Sequence, residues 1–290
     1  MAPSKIAGRL RLVLPKGRLY PEVARLLNDA GVGVEADDRV YHPKVSWPDL
    51  EAKIIKPQNI PKLIELGSHD LGFAGADWVR EAGAAVREVL DLGFDPVRVV
   101  AAVPAGLSGR ALRRRRIVVA SEYERIARTY LDANRFDYVL LRTFGATEVF
   151  PPDDADMIID NVATGRTLCG HGLRILAVIL ESTTRVIVHP RALDRPWKRD
   201  KVEELLLLFR SVLDARRRVM IEMNVPSGRL EAIVKRLPCM RSPTVAPLYG
   251  RSGYAVKVAV ERTEAARLIP RLKKLGACDI LESRFEKVVP

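Results

Sequence analysis

Short apolar runs alternate with amphipathic helical patterns along the first half of the sequence, and this alternation limits the folds open to the chain. LRLVL (10–14), RVYHP, EAKIIKP, DLGFAG (70–75) and PVRVVAAV have the length and composition of strands. PEVARLLNDAG (21–31) and NIPKLIELG (59–67) repeat apolar residues at helical spacing and end in glycine. Strand–helix–strand order is typical of a mostly parallel sheet covered by helices, so the pattern predicts an α/β fold.

The same pattern begins again near residue 104, which predicts a second lobe. RRIVVAS, YVLLRTFG and DMIID are interpreted as strands, and EYERIARTYLDANR as a helix. The long apolar stretch RILAVILESTTRVIVHP then has the length to carry the chain back to the first lobe. We therefore predict lobe I from residues 1–103 with 180–215 and lobe II from residues 104–179, with a cleft between them.

The last part of the chain has a different order of elements. After a long helix, DRPWKRDKVEELLLLFRSVLDARRR, the predicted order over residues 216–290 is strand, helix, strand, strand, helix, strand. This βαββαβ order is the ferredoxin-like pattern. The pattern alone fits a regulatory domain and a dimerisation domain equally well, because a fold does not determine a function.

The formal net charge of the chain is +12, which fits a polyanionic partner, either a nucleic acid or a phosphorylated small molecule. A nucleic-acid surface would require basic and aromatic residues interleaved on one face, yet aromatic residues make up only 6% of the chain and are scattered. The basic run at residues 113–116 is interpreted as a solvated junction between a loop and a strand. We therefore predict small phosphorylated ligands and no nucleic acid.

The cysteines Cys169, Cys239 and Cys278 are widely spaced and odd in number, which fits neither a disulfide framework nor a metal-binding pair. This usage predicts a reducing cytoplasm, and Cys169 is interpreted as a small packed hydrophobic residue. The N-terminus has no signal-type apolar core, and the longest apolar run, ILAVIL, falls short of the ~20 residues that a membrane span needs. No membrane partner is predicted.

The stretch MIIDNVATGRTL (157–168) carries the most specific chemistry. An apolar strand ends at Asp160, and a loop of small residues follows it. The carboxyl end of a strand is where open α/β sheets bind ligands, and Gly165 lets the backbone approach an anion closely. Thr164, Arg166 and Thr167 add donors for a phosphate monoester, whereas Asp160 suits ribose hydroxyls or hydrated Mg²⁺. The stretch predicts a sugar phosphate site; the alternative is a strand and turn with threonine caps.

Several segments together resemble ATP phosphoribosyltransferase, the first enzyme of histidine biosynthesis, in its long form. They are LPKGRL, KPQNIPKLIELGSHDLGFAGADWVREAG, FGATEVFPPDDADMIIDNVATGRTLCGHGLRIL, ESTTRVIVHP and LPCMRSPTVAPL with EKVVP. The resemblance implies a fold like that of type II periplasmic binding proteins, a C-terminal domain that binds histidine as a feedback inhibitor, Mg²⁺ dependence and a homo-oligomer, from dimer to hexamer. It implies transfer of the phosphoribosyl group of phosphoribosyl pyrophosphate to N1 of ATP, with release of pyrophosphate.

The resemblance also implies roles for individual residues. Asp160, Lys16 and Lys56 would be the catalytic residues. The phosphoribosyl pyrophosphate site would consist of Asp160, Ala163, Thr164, Gly165, Arg166 and Thr167. The ATP and pyrophosphate site would consist of Lys16, Gly17, Arg18, Lys56, Asp77 and Glu148. For three of these a structural role is the alternative: a solvated loop lysine for Lys16, a helix N-cap for Asp77 and a helix-start carboxylate for Glu148.

In the C-terminal domain, Glu222, Asn224 and Thr244 match segments that line the family's histidine site. The chain departs from the family at three positions. It has Lys56 where relatives usually have Arg, Asn59 where they have Asp, and Asn224 where they often have an acid. Lysine keeps the charge but loses the bidentate fork of arginine, and Asn224 lacks a charge for the histidine ammonium. Metal ligands are not assigned, because substrate phosphates supply many ligands of Mg²⁺.

A second class of protein shares the two-lobed pattern: solute-binding proteins without catalysis. That class predicts a secretion signal, which the N-terminal sequence does not show, and it has no need for the TGRT loop. An enzyme is therefore the preferred prediction.

Overall fold

A computed structural model describes residues 8–35, 40–238 and 242–289 of the chain. The described residues divide into two compact units. One lies within Met1–Arg25 and Val32–Val202, and the other within Leu26–Gly31 and Glu203–Pro290. Within the described residues, no helix is long and apolar enough to cross a membrane.

The strands of the described residues are, in chain order, β1 (Leu10–Pro15), β2 (Val34–Glu35), β3 (Lys44–Val45), β4 (Leu50–Ile55), β5 (Leu71–Gly75), β6 (Arg87–Asp91), β7 (Val97–Pro104), β8 (Ile117–Ser121), β9 (Tyr138–Arg142), β10 (Met157–Val162), β11 (Leu173–Ser182), β12 (Thr184–Val188), β13 (Arg218–Val225), β14 (Thr244–Pro247), β15 (Tyr254–Glu261) and β16 (Cys278–Arg284). The α-helices are α1 (Tyr20–Asp29), α2 (Ile60–Glu65), α3 (Ala76–Ala82), α4 (Gly109–Leu112), α5 (Glu124–Ala133), α6 (Arg166–Gly170), α7 (Pro190–Leu193), α8 (Pro196–Arg217), α9 (Leu230–Val234) and α10 (Arg262–Lys274).

Lobe I is built on a sheet with the strand order β4-β1-β5-β12-β6. The β1–β4 and β1–β5 pairs are parallel, whereas β12 runs antiparallel to both β5 and β6. Gly72 in β5 allows α2 to pack on this sheet, because a Cβ atom there would lie 2.7 Å from Val13 and 2.9 Å from Ile60. The sheet is mixed, but four of its five strands run in the same direction and β12, the returning strand, is the one reversed, so the prediction of a mostly parallel sheet is confirmed. Residues 40–43 of the predicted strand RVYHP form no strand, and Arg39 lies outside the described residues.

Lobe II has a second mixed sheet with the order β11-β7-β10-β8-β9. Its β8 pairs in parallel with β9 and β10, and β7 pairs antiparallel with β10 and β11. The predicted boundary at residue 103 placed β7 in lobe I, and the structure corrects this. The apolar pattern and the burial of a strand look the same in either sheet, and only the long-range pairing decides which sheet receives it.

Two connections join the lobes side by side. Residues 92–96 lead from β6 to β7, and Thr183 alone separates β11 from β12. Leu92 donates its backbone N–H to the carbonyl of Thr184, and Thr184 donates to the carbonyl of Phe94, so the two connections are tied to each other. The predicted return of the chain through RILAVILESTTRVIVHP is confirmed by β11 in one sheet and β12 in the other.

In the second unit, β13, α9, β14, β15, α10 and β16 follow in the predicted βαββαβ order. The four strands form an antiparallel sheet with the order β14-β15-β13-β16. Residues of β13 alternate between half-buried and buried, and the buried ones, all apolar, pack with residues of α10 such as Leu268 and Leu272. One face of this sheet is therefore covered by helices. The predicted architecture, two α/β lobes with a ferredoxin-like domain, is confirmed.

A buried ionic cluster holds the end of lobe I remote from the ends where β1 and β5 stop. Lys198 Nζ lies 2.6 Å from Asp70 Oδ1, and their side chains are 7% and 5% exposed. Arg11 donates to the same carboxylate through its backbone N–H and its guanidinium. Burial disfavours the ionised Asp70, but the hydrogen bonds from Arg11 and Lys198 outweigh it and lower the pKa of Asp70.

We predict that Lys198→Met lowers the free energy of unfolding by about 3 kcal/mol, because it leaves a buried carboxylate with one cation fewer. Lys62→Met is the matched control. Its ammonium lies 2.6 Å from Glu65, but the two side chains are 53% and 27% exposed, so the expected loss is under ~1 kcal/mol. Urea unfolding at neutral pH measures both values. Equal losses in the two variants would contradict the prediction.

Candidate active-site cleft

A cavity of about 260 Å³ opens between the two lobes. Lobe I contributes residues that follow the ends of β1, β4 and β5, among them Lys16, Gln58 and Asp77. Lobe II contributes Glu122, which follows β8, and Asn161 in β10. Because strands of both sheets end at this cavity, it occupies the position at which open α/β sheets bind ligands.

The basic segment after β1 forms one wall of this cleft. Lys16 directly follows the strand, and its backbone N–H donates a hydrogen bond to the carbonyl of Ile55. Its ammonium lies 5.0 Å from the ring centroid of Tyr41. Gly17 adopts a φ of 81°, which allows the chain to turn directly into the next residues. The Arg18 guanidinium lies 2.9 Å from the carboxylate of Asp95 in the connection between β6 and β7. Two cations therefore stand at one side of the cavity.

Lys56 follows β4 at the same end of the sheet. It precedes a short 3₁₀ turn, Pro57–Asn59, and both Pro57 and Gln58 line the cavity. The Lys56 side chain is exposed. The structure thus brings Lys56 to the same edge as Lys16, while Gln58 is a lining residue that the sequence reasoning missed.

Asp160 lies two residues before the end of β10, so the strand runs further than the apolar pattern predicted. Burial raises the pKa of Asp160 to about 6, although hydrogen bonds from the backbone of Asn161 and the side chain of Thr147 oppose the increase. The negative charges of Glu122 and Glu148 raise it further. The structure therefore places Glu148 near Asp160, and it adds Glu122, which no motif indicated.

The loop after β10 is exposed. Gly165 has a φ of 75° and forms the N-cap of α6, and the Thr164 hydroxyl accepts a hydrogen bond from the backbone N–H of Arg166 at 3.4 Å. Thr167 is exposed on the same short helix. Ala163 lines a neighbouring cavity of about 470 Å³ next to the connections between the lobes. The side chains of Ala163, Thr164, Arg166 and Thr167 are accordingly exposed to a ligand, whereas the Arg166 N–H already has the Thr164 hydroxyl as its acceptor.

Asp77 lines the cleft, but both of its carboxylate oxygens have protein partners. Oδ1 accepts a hydrogen bond from the Ser182 hydroxyl at 2.7 Å, and Oδ2 accepts one from the Tyr123 hydroxyl at 2.6 Å. The side chain is buried, and the N-cap of α3 is Gly75 rather than Asp77. The alternative role of Asp77 as an N-cap is therefore wrong, and its predicted contact with a polyphosphate stays a prediction.

Comparison with known proteins supports the family resemblance found in the sequence. The model of the family described as ATP phosphoribosyltransferase matches residues 56–211, and that of the family's C-terminal domain matches residues 215–287. The chain belongs to the ATP phosphoribosyltransferase family. ATP phosphoribosyltransferases of Chlorobium phaeovibrioides and Pelotomaculum thermopropionicum are each 38% identical over 97% of this chain, and 97% and 100% of their own lengths are covered.

A solved structure agrees with the family assignment. A chain described as part of the ATP phosphoribosyl transferase (HisG:HisZ) complex from Thermotoga maritima is similar with a TM-score of 0.62 and 25% identity. The match covers 69% of this chain and 98% of that chain. An ATP phosphoribosyltransferase catalyses the first step of histidine biosynthesis, so the chain is an enzyme of that pathway, as the sequence predicted.

In the C-terminal domain of this ATP phosphoribosyltransferase, the predicted regulatory residues share the open face of the sheet. Glu222 and Thr244 both pair in register with Lys257, and the Glu222 carboxylate lies 3.0 Å from the Lys257 ammonium. Asn224 donates a hydrogen bond from Nδ2 to the carboxylate of Asp279 at 2.8 Å. The face therefore carries an acid next to Asn224, at a position that the sequence reasoning missed.

Two further predictions concern surface residues. The arginines at residues 113–116 are exposed between α4 and β8, as predicted, and Arg115 pairs with Asp156 while Arg113 lies 5.2 Å from the ring centroid of Phe136. Cys169, predicted to be packed, is exposed on α6, because that helix has only Leu168 as a buried residue. Cys278 is half-buried, and Cys239 lies outside the described residues.

We predict that Asp160→Asn makes the protein more stable above pH 6. The folded pKa of Asp160, about 6, exceeds its ordinary value of 3.8, so the stability that the protonated carboxyl contributes is present at low pH and is lost as the pH rises through 6. The uncharged asparagine avoids that loss. The gain should be absent near pH 4 and on the order of 2 kcal/mol at pH 8, measured by urea unfolding. A gain that does not change with pH would contradict the prediction.

Proposed function

We propose that the cavity between the lobes binds ATP and phosphoribosyl pyrophosphate together, and that the phosphoribosyl group passes there to N1 of ATP. One observation carries this assignment: Asn161, which lies between Asp160 and the exposed loop 163–167 in lobe II, lines the same cavity as Lys16 and Arg18 of lobe I. This arrangement offers separate positions for the sugar phosphate and for the polyphosphate groups.

Phosphoribosyl pyrophosphate would be held by lobe II. The 5-phosphate would accept hydrogen bonds from the backbone and the hydroxyl groups of the loop, from Ala163 through Thr167, where Gly165 lets the phosphate approach the backbone. Asp160 would accept hydrogen bonds from the ribose hydroxyls. Its pKa of about 6 leaves the carboxylate ionised at neutral pH, as this role requires.

The ATP and pyrophosphate groups would be held by lobe I, through Lys16, Gly17, Arg18 and Lys56. Arg18 is paired with Asp95 in the free protein, at 2.9 Å. A phosphate oxygen arriving at the cleft would compete with Asp95 for the guanidinium, and the planar fork of Arg18 suits that exchange. Lys56 would act as a point charge where relatives usually have the fork of arginine.

In the reaction, the bond between C1 of the ribose and the pyrophosphate oxygen breaks, and a bond from C1 to N1 of adenine forms. Positive charge develops on the ribose while negative charge develops on the leaving group. N1 is already a nucleophile, so the enzyme needs no strong general base. Asp160 would stabilise the charge on the ribose side, and the lysines and Arg18 the charge on the leaving group, and fixed positions of both substrates would supply the rest of the acceleration.

Mg²⁺ is proposed as the cofactor, because carboxylate oxygens are ligands that it prefers and the charges of Glu122 and Glu148 lie close enough to Asp160 to raise its pKa. Within the described residues, no group of three or more His, Cys, Asp or Glu side chains is arranged to hold a metal ion. Substrate phosphates would therefore supply most of the ligands. When bound, the ion would neutralise the pyrophosphate as it leaves.

The activity test uses purified protein with ATP, phosphoribosyl pyrophosphate, Mg²⁺ and a pyrophosphatase, and follows the absorbance of the N1-substituted adenine. We expect product only when both substrates are present. Asp160→Ala should lower kcat/KM about 100-fold, because it removes a charge that faces the reacting carbon. Thr164→Ala should lower it about tenfold, through one lost hydrogen bond to a charged phosphate.

Two exposed residues of lobe II provide matched controls. Asp137→Ala removes a carboxylate whose only described ion pair is with Arg116 at 3.7 Å, and Thr129→Ala removes a hydroxyl that donates to the carbonyl of Arg125. Both should keep the activity of the parent enzyme. Controls as impaired as the site variants, or tight binding of a small solute without any product, would exclude the proposed site.

We propose that histidine inhibits the enzyme by binding the open face of the C-terminal sheet, at Glu222, Asn224 and Thr244. Asp279 would supply the negative charge that Asn224 lacks, because its carboxylate lies 2.8 Å from the Asn224 amide. A histidine ammonium placed there would interact with both side chains.

The corresponding prediction is that Asp279→Asn raises the histidine concentration needed for half-maximal inhibition about tenfold without changing kcat, since it removes one charged hydrogen bond. Glu282→Gln is the control: it lies on the same strand but pairs in register with the core residue Ile221, so it belongs to the other face. Inhibition curves at fixed substrate concentrations measure the effect. Unchanged inhibition in Asp279→Asn would remove Asp279 from the site.

The remaining proposals concern the assembly and its location. A homo-oligomer, from dimer to hexamer, is proposed from the family resemblance, and the solved relative from Thermotoga maritima is itself described as a complex. A cytoplasmic location is proposed because the substrates are phosphorylated metabolites, and because the unpaired cysteines Cys169 and Cys278 fit a reducing compartment. Nucleic acids and membranes have no part in the proposed reaction.

A further inference from the structure

Helix α3 follows a strand of lobe I, but its side chains bind lobe II. The carboxylate of Glu81 accepts hydrogen bonds from the backbone N–H groups of Arg125 and Ile126, at 2.9 and 3.0 Å. These are the first backbone donors of α5, which lies in lobe II. The first N–H groups of a helix have no partners within the helix and need an acceptor from elsewhere.

The N-terminus of α5 does not supply this acceptor itself. Its N-cap residue is Tyr123, whose side chain makes no capping hydrogen bond. A nearby residue such as Ser or Asp usually provides the cap. Here the acceptor comes from the other lobe, and its negative charge also interacts favourably with the helix dipole. The folding of α5 and the position of lobe I relative to lobe II are thus linked through Glu81.

A second contact between the same helices is aromatic. The Tyr123 ring is fully buried and stacks on Trp78 of α3, with the ring centroids 4.6 Å apart and the planes at 25°. Its hydroxyl donates to Asp77 Oδ2 at 2.6 Å. Burial and the charge of Asp77 raise the pKa of Tyr123, so the hydroxyl keeps its proton and remains a donor.

The contact extends to the substrate site. Asn161 Nδ2 donates a hydrogen bond to the Tyr123 hydroxyl at 2.8 Å, and Asn161 is the neighbour of Asp160 in β10. At the other end, Ser182 of β11 is bonded to both the backbone N–H and the carboxylate of Asp77. A continuous chain of hydrogen bonds therefore runs from the connection between the lobes to the residue beside Asp160.

We propose that α3 is a latch that fixes the opening of the cleft, and that Asp77, Glu81 and Tyr123 are positioning residues for the reaction. They hold lobe I, which carries the basic segment, at a set distance from the carboxylate and the phosphate loop of lobe II. The positioning role rests on the proposed function, whereas the latch itself is a property of the free protein. The cleft is then formed before the substrates bind, and little closure remains.

The test compares two glutamates that accept backbone hydrogen bonds. Glu81→Ala removes the contact between the lobes. Glu65→Ala is the matched control, because Glu65 accepts from the backbone N–H of Ala85 within lobe I at 2.8 Å and lies outside the cleft lining. Each variant is made in a full-length chain in which Cys169, Cys239 and Cys278 are replaced by serine.

The opening is measured without substrate, by electron–electron double resonance between spin labels at Leu66→Cys in lobe I and Val139→Cys in lobe II, diluted with unlabelled chain. Both positions are exposed, at 77% and 44%. We expect a longer and broader distance distribution in Glu81→Ala and the parent distribution in Glu65→Ala. A Glu81→Ala distribution that coincides with the parent's would overturn the latch, whether or not the proposed reaction is correct.

Kinetics test the positioning role. In Glu81→Ala, kcat should fall about tenfold, since a displacement of about 1 Å between reacting groups has effects of this size or larger. The dissociation constant and stoichiometry for phosphoribosyl pyrophosphate alone, measured by calorimetry, should stay at the parent values, because that site lies within lobe II. A reduced stoichiometry would instead mean partial unfolding and a purely structural role for Glu81.

If Glu81→Ala does not fold, Tyr123→Phe provides the same test. It keeps the ring that stacks on Trp78 and removes only the hydroxyl that joins Asp77 to Asn161. The same increase in distance and the same loss of kcat are expected. Parent values for both quantities in Tyr123→Phe would overturn the proposal.

Discussion

The antiparallel pairing of β7 with β11 is the interaction on which the two-lobed part depends. The chain enters lobe II through β7 and leaves it through β11, and the register ends with Val97 opposite Ser182. Both crossings between the lobes are therefore held together by backbone hydrogen bonds. The cleft lies directly beside this pair, since Val97 and Ser182 also line its cavity. The chain crosses from lobe I to lobe II and back again, so the strand that enters a lobe and the strand that leaves it run in opposite directions. Each lobe therefore has a mixed sheet.

The two walls of the cleft differ in charge. The lobe I wall carries the cations Lys16 and Arg18 after the end of β1, whereas lobe II carries Asp160 with Glu122 and Glu148 nearby. Cations suit phosphate groups and a carboxylate suits sugar hydroxyls, so a phosphorylated sugar fits such a pair of walls better than either wall alone. The acids also destabilise the free protein, as the raised pKa of Asp160 indicates. Charge of this kind is typical of functional sites, where stability is lost in favour of binding.

The sequence predicted local features well and long-range ones less well. Periodicity identified strands such as β10 and helices such as α5, because burial on one side is a local property of the chain. It could not assign β7 to a sheet, since the pairing partner lies far along the chain. The same limit explains Asp77: the sequence revealed a carboxylate after a strand, but its partners are 46 and 105 residues away. No motif contained Tyr123, and the motif that contains Glu81 gave this residue no role, so only the contact of two helices in space reveals what they do.

Thr183 is the only residue between β11 and β12, which belong to different sheets. A loop of several residues can usually accommodate an inserted residue, but this connection is only one residue long. Successive side chains along a strand point to opposite faces, so one inserted residue would reverse the side-chain directions of β11 or of β12 next to the insertion. In the first case Ser182 would lose its hydrogen bond to the carboxylate of Asp77, and in the second Thr184 would leave the interior of lobe I. The length of this junction, more than the identity of its residue, is therefore what natural variation in the chain must preserve.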